Sequence, residues 1–151
     1  MARIEVSHAS VLDAPASSVY AVIADYVDGH PRILPPRVFH DLTVEEGGVG
    51  AGTVIRFGMR VLGVDRWIRA RITEPEPGRV LVESGLDGND VVTTFTVDPL
   101  DGGQRAAVRF DTVWTEPGLA GWVQRLVAPL VLRRLYAEEM ANLERVTLGP
   151  A

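Results

Sequence analysis

Between Arg37 and Pro117 the chain is cut at short intervals by turn residues, and this punctuation limits its possible folds more than any other feature. The segments VFHDLTVEE, GTVIRFGMRVL, VDRWIRARITE, RVLVESGL, VVTTFTVDPL and RAAVRFDTVWTE are rich in β-branched and aromatic residues. They end in turn at Gly47-Gly48, Gly63, PEPG, DGND, DGGQ and Pro117-Gly118. Runs of this length and make-up, separated by such short breaks, predict six strands joined as a meander. Asp87-Gly88 and Asp101-Gly102 suit tight hairpin loops, because Gly tolerates the positive φ that such loops require. A meander is antiparallel, so one face of the sheet can be left in water.

Two further patterns bracket the meander. RIEVSHASVLD predicts a strand closed by Asp13-Ala14-Pro15, and APASSVYAVIADYV a helix with Pro15 near its start and Ser17 or Ser18 as cap. Val19, Val22, Ile23 and Tyr26 fall at helical spacing, and Gly29 and Pro31 end the helix. A short helical turn around Arg32–Leu34 precedes Pro35-Pro36, which force extended chain. At the other end, GLAGWVQRLVAPLVLRRLYAEEMANLERV predicts a long helix. Its apolar stripe is Trp122, Leu126 and Leu130, joined by Val123, Val127, Leu135, Met140 and Leu143. Pro129 lacks the donor for the Arg125 carbonyl and clashes with the preceding turn, which predicts a kink or break and a main helix from Ala128 to Val146.

A chain of 151 residues fits a single domain, 1–151, with no linker, repeat or low-complexity tract to divide it. The absence of cysteine removes disulfides, thiol nucleophiles and thiolate metal sites together, and fits a reducing compartment. No apolar run has the length of a signal peptide or a bilayer span, so the expectation is a cytoplasmic protein with no stable membrane insertion. The formal charge of −5 does not favour nucleic acid. Arg56, Arg60, Arg69 and Arg71 share a face with Trp67 and read as a solvated sheet surface with Glu83 among its cross-strand partners, rather than as a phosphate-binding platform. GGVGAG does not match the dinucleotide fingerprint and precedes a strand, DGND lacks the spacing of a calcium loop, and neither a nucleophile elbow nor a paired-carboxylate signature is present. His8, His30 and His40 lack close ligand spacing, so neither a metal nor another cofactor is expected.

The order of strand, helix, short helix, six strands and long helix resembles the helix-grip fold of the START/Bet v 1 superfamily, in particular its polyketide cyclase/dehydrase and lipid-transport-like branch. The resemblance is carried by DAPASSVYAVIADYVDGHPRILP, EEGGVGAGTVIRF, ITEPEPGRVLVES and PLVLRRLYAEEMANLERV, and spans nearly the whole chain. It implies an α+β fold in which a curved antiparallel sheet of about seven strands wraps around the last helix, with an apolar cavity between them.

Strand parity then assigns side chains to the cavity face. Ile55, Phe57, Met59 and Val61 share one face, as do Ile68, Ala70 and Ile72; Thr93, Phe95 and Val97; and Val108, Phe110, Thr112 and Trp114. Leu126, Leu130 and Tyr136 are expected to face them from the helix. His40 shares parity with Val38, Leu42 and Val44, which points an ionisable group inward, unless the opposite parity places Phe39 there. His30 reads first as loop punctuation with Pro31 and second as a group at the cavity rim, because the resemblance puts its segment near the mouth. Tyr26, His30, Leu34, His40, Ile55, Phe57, Met59, Ile68, Phe95, Phe110, Thr112, Trp114, Leu126, Leu130 and Tyr136 are thus the expected ligand-binding residues. The leading expectation is a binder of a small hydrophobic or aromatic molecule of polyketide, lipid or isoprenoid type. A cyclase or aromatase using the same cavity is the alternative, with His40 as acid or base and Tyr136 as hydrogen-bond donor. A partner-binding module of toxin or co-chaperone type would use the outer surface instead, and the oligomeric state is left open.

Overall fold

The computed structural model describes residues 1–149. Strand β1 (Ala2–Leu12) is followed by helix α1 (Ala16–Ala24), a single 3-10 turn (His30–Arg32), and strands β2 (Phe39–Glu46), β3 (Val54–Val61), β4 (Val64–Glu76), β5 (Val80–Gly85), β6 (Val92–Leu100) and β7 (Arg105–Glu116). Helix α2 (Gly118–Leu148) ends the chain. The strands form one antiparallel sheet in the order β1-β7-β6-β5-β4-β3-β2, so each hairpin of the meander pairs neighbours and β1 closes back onto β7. The sheet curves around α2, as in the helix-grip fold. In both hairpin pairs, Asp87-Gly88 and Asp101-Gly102, each residue takes a positive φ, the backbone that a tight turn matched to strand twist needs.

The apolar sets read from β3, β4, β6 and β7 do share the inner face: Ile55, Ile72, Phe95, Val97, Val108 and Phe110 are all buried. The expected break in α2 and its expected apolar stripe both fail. Helix α2 runs unbroken through Pro129, which lies inside it. The bond it removes belongs to Arg125, on an exposed turn of the helix, so a hydrogen bond is lost but not the element. The expected stripe of α2 also points the wrong way: Leu126 and Leu130 are 77% and 66% exposed, and Trp122 faces solvent too. The inward face is Leu132, Leu135, Tyr136, Glu139, Met140 and Leu143. From Leu119 to Leu132 apolar residues occur around most of the helix, so periodicity alone does not choose a face.

The end of α1 assigns a structural role to His30. The orphan carbonyls of a helix C-terminus need donors from elsewhere. Ala24 O accepts from Gly50 N at 2.9 Å, and Ile23 O accepts from His30 Nδ1 at 2.7 Å. His30 is therefore a side-chain cap, buried to 3% exposure.

Candidate functional site

The space between sheet and α2 is a cavity of about 890 Å³. Its entrance lies between the β3–β4 hairpin, the β5–β6 loop and the start of α2, where Leu62, Arg66, Asn89, Glu116 and Val123 stand on the wall. Arg66 is paired with Glu116 at 3.5 Å there. Farther in the walls are apolar: Leu34, Phe39, Leu42, Ile55, Phe57, Met59, Ile68, Phe95 and Trp114 from the sheet side, and Val127, Val131 and Leu132 from α2.

A polar row crosses this apolar floor. Register places Glu83 on β5 opposite Thr93 on β6, and Thr93 opposite Thr112 on β7, with Ile72 and Val6 flanking the row on β4 and β1. Thr93 and Thr112 share a hydrogen bond of 2.9 Å, and Thr112 bonds in turn to the Tyr136 hydroxyl reaching down from α2. Glu83 Oε1 accepts the Tyr26 hydroxyl proton at 2.6 Å and lies 3.6 Å from His30 Nε2. His30 stacks on Tyr26 with centroids 4.3 Å apart and meets Phe95 edge-on at 5.6 Å. Because a carbonyl only accepts, the Ile23 bond fixes a proton on His30 Nδ1, which leaves Nε2 turned toward Glu83. Burial pushes the Tyr26 and Tyr136 hydroxyls well above the ordinary tyrosine range, helped by Glu83 at the first and Glu139 at the second. Both phenols are neutral donors at physiological pH.

Glu139 completes the polar end. It follows Tyr136 by one helical turn, lines the cavity and is only 3% exposed. Desolvation holds its carboxyl well above the usual carboxylate range, and the charges of Glu83 and Glu138 add to this.

His30, Leu34, Ile55, Phe57, Met59, Ile68, Phe95, Thr112, Trp114 and Tyr136 all stand on the cavity wall. Tyr26 and Phe110 are fully buried behind it, and Leu126 and Leu130 lie outside on the exposed side of α2. His40 is a correction with a clear cause. Phe39 pairs with Met59 and His40 with Gly58, after which Asp41 takes a φ of 54° and the register shifts before Thr43. This bulge inserts a residue, so Phe39 and Leu42 both reach the cavity while His40 is turned to the outer face. There its ring lies over Gly58, where a Cβ would run into it, and edge-on to Trp67 at 5.2 Å. Its Nε2 and Nδ1 are each 2.8 Å from a carboxylate, Asp65 and Asp41 respectively.

These bonds, that to Asp65 foremost, raise the His40 pKa above 6.5. Its favourable charge interaction is complete below the unfolded pKa of about 6.5 and fades as pH rises through the higher folded value. An NMR titration of His40 will therefore show a midpoint above that of an unstructured histidine, and Asp65→Asn will bring it down. A His40 midpoint at or below the unstructured value would show that the two carboxylates do not engage the ring.

Glu83, expected on the outer surface, and Glu139, not singled out at all, are the residues that the sequence reading missed. The signals were present: Glu83 shares parity with Leu81, and Glu139 lies on the helical face of Leu135, Tyr136 and Leu143. Three of the four outer-face arginines are engaged by neighbours: Arg69 bonds Glu45 and Asp87, Arg60 reaches Asp65, and Arg56 stacks over Trp67 at 4.2 Å. Among the described residues no group of three or more His, Asp or Glu is placed to hold a metal ion, and no helix is long and apolar enough to cross a membrane.

The model of the family described as polyketide cyclase / dehydrase and lipid transport matches residues 2–147. The chain belongs to this family. Among solved structures similar to it is the KanY protein, 28% identical with a TM-score of 0.82, the match covering 99% of this chain and 100% of that one. The Zhui aromatase/cyclase from Streptomyces sp. R1128 is 21% identical with a TM-score of 0.76 over 96% of this chain and 93% of its own. A START superfamily protein from Mycobacterium smegmatis, 13% identical, has a TM-score of 0.75 over 94% and 98%. No curated protein matches the chain significantly. The latter two structures share its fold.

Proposed function

We propose that the protein binds a small hydrophobic or aromatic molecule, of polyketide, lipid or isoprenoid type, inside this cavity. The observation that carries the reading is a cavity of about 890 Å³ with aromatic and aliphatic walls and one polar end. Small-molecule sites commonly have volumes of about 300–1,000 Å³ and a few polar groups that fix orientation. An aromatic ligand burying about 300 Å² of apolar surface would gain about 7 kcal/mol before the costs of association are subtracted.

The test uses Nile red, a neutral apolar dye. It will bind with enhanced fluorescence, and Ala128→Trp, which fills the cavity from α2, will weaken binding about tenfold or more with little change in unfolding midpoint. Unchanged dye binding in that variant would place the dye elsewhere. Mass spectrometry of gently purified protein will in addition reveal any retained apolar ligand.

A cyclase-type enzyme is the second reading, and one observation favours it: Glu83, His30, Tyr136 and Glu139 bring groups able to give or take protons to the wall of a largely apolar cavity. In that reading the acid–base work belongs to this group and not to His40. Turnover of candidate polyketide chains that survives His40→Ala and is lost in Glu139→Gln would support it.

A further inference from the structure

The polar end of the cavity has an imbalance of partners. Every fully sealed side-chain nitrogen or oxygen among the described residues has a hydrogen-bond partner. Glu139 makes no side-chain hydrogen bond with any of them, so the slight exposure it retains must be its carboxyl at the cavity surface. The nearby donors are largely committed: Tyr26 to Glu83, His30 Nδ1 to Ile23, and two of the three hydroxyl protons of Tyr136, Thr112 and Thr93 to the bonds among themselves. Positive charge is also scarce. The chain has no lysine, Arg66 is held by Glu116 at the entrance, and Arg56 and Arg69 engage Trp67, Glu45 and Asp87 on the outer face. This leaves two carboxyls, Glu83 and Glu139, with the His30 ring as the one basic side chain beside Glu83.

From this we infer that Glu83 and Glu139 form a cation subsite, which receives the protonated amine of a ligand whose apolar or aromatic body fills the rest of the cavity. The inference rests on the cavity reading above and specifies its ligand class. An ammonium group brings the donors and the charge that Glu139 lacks, in surroundings where poor screening strengthens the attraction. The groups that face Glu139 are Glu83 from β5, with Tyr26 and His30 behind it, Tyr136 on its own helix, and Glu138, which is tied to Arg37 on the surface. The amine ionises Glu139 as it binds, so a proton is released and affinity rises with pH while the amine stays charged. A ligand carbonyl would have the opposite dependence, because it needs the proton to remain on Glu139.

The experiment compares naphthylmethylamine, naphthylmethanol and naphthaldehyde as competitors of Nile red, with calorimetry in two buffers of different ionisation enthalpy. The amine is expected to bind about tenfold or more tightly than the alcohol, to release a proton, and to gain affinity as pH rises while the amine stays charged. Glu139→Gln will reduce the preference for amine to within about twofold, and Glu83→Gln will also weaken it. Tighter binding of alcohol or aldehyde, absence of proton release, or an amine preference that survives Glu139→Gln would overturn the subsite. If Glu139→Gln does not fold, the pH dependence and proton release of the wild type decide. Failure of all three competitors while Nile red still binds in the cavity would overturn the subsite and leave the cavity reading standing. Failure of Nile red to bind there would overturn the cavity reading itself.

Discussion

Phe110→Ala will destabilise the fold by about 3–5 kcal/mol, the range for removing a large aromatic side chain from a packed core. Phe110 is fully buried at the centre of β7, opposite Phe95 on β6. Its ring meets Phe95 edge-on with centroids 4.8 Å apart and Tyr136 at 5.6 Å, so it joins sheet to helix just behind the cavity wall. With a typical stability of about 5–15 kcal/mol, the loss is a large share of the whole. Urea unfolding will show a lower midpoint at an unchanged slope. Phe57→Ala is the contrast. Phe57 lies on the cavity wall, where one side of the ring already lacks packed neighbours, so its truncation should cost less, about 1–3 kcal/mol, and mainly weaken dye binding. Equal losses for the two variants would mean that the space beside Phe57 collapses in solution and the cavity is not held open.

The difference between those two phenylalanines was only half legible in the sequence. Parity put both on the inner face because β3 and β7 run without interruption, and an inner face is all that a two-residue period can report. Which inner residues are packed and which border a void depends on how far the sheet curves and how α2 crosses it. The turn residues, by contrast, placed every hairpin: Asp-Gly pairs mark the β5–β6 and β6–β7 connections, and glycines with positive φ at Gly47, Gly63 and Gly78 mark the other three. Parity failed at β2 because a one-residue bulge leaves no compositional mark: nothing in FHDL announces that Asp41 will take a φ of 54°. It failed differently at Glu83, where a carboxylate between Val82 and Ser84 reads as solvent-facing unless the buried Leu81 two residues earlier is given more weight than the charge. Glu139 was hidden by the same prior, since Glu138 and Glu139 are adjacent and only the helical phase separates the surface ion pair with Arg37 from the group at the cavity.

The two histidines separate the interior from the outer surface. His30→Ala will destabilise the protein by about 2–4 kcal/mol, through an orphaned helix carbonyl and lost ring packing. The variant removes the donor to Ile23 O, the ring stacked on Tyr26 and the edge contact with Phe95, and it leaves Glu83 with only the Tyr26 hydroxyl nearby. The cavity should also widen at its polar end, so Nile red affinity will change along with stability. His40→Ala removes only contacts at the outer face, with Asp41, Asp65 and Trp67, and will leave both the unfolding midpoint and dye binding nearly unchanged. His30→Gln discriminates between the two jobs of His30: an amide can still donate to the Ile23 carbonyl but cannot stack as imidazole does or set a ring nitrogen beside Glu83. Recovery of most of the stability in His30→Gln without recovery of wild-type dye affinity would assign the cap to the fold and the ring to the cavity. Loss of stability equal to that of His30→Ala would instead show that ring packing and the Glu83 contact, not the cap, hold the end of α1 in place.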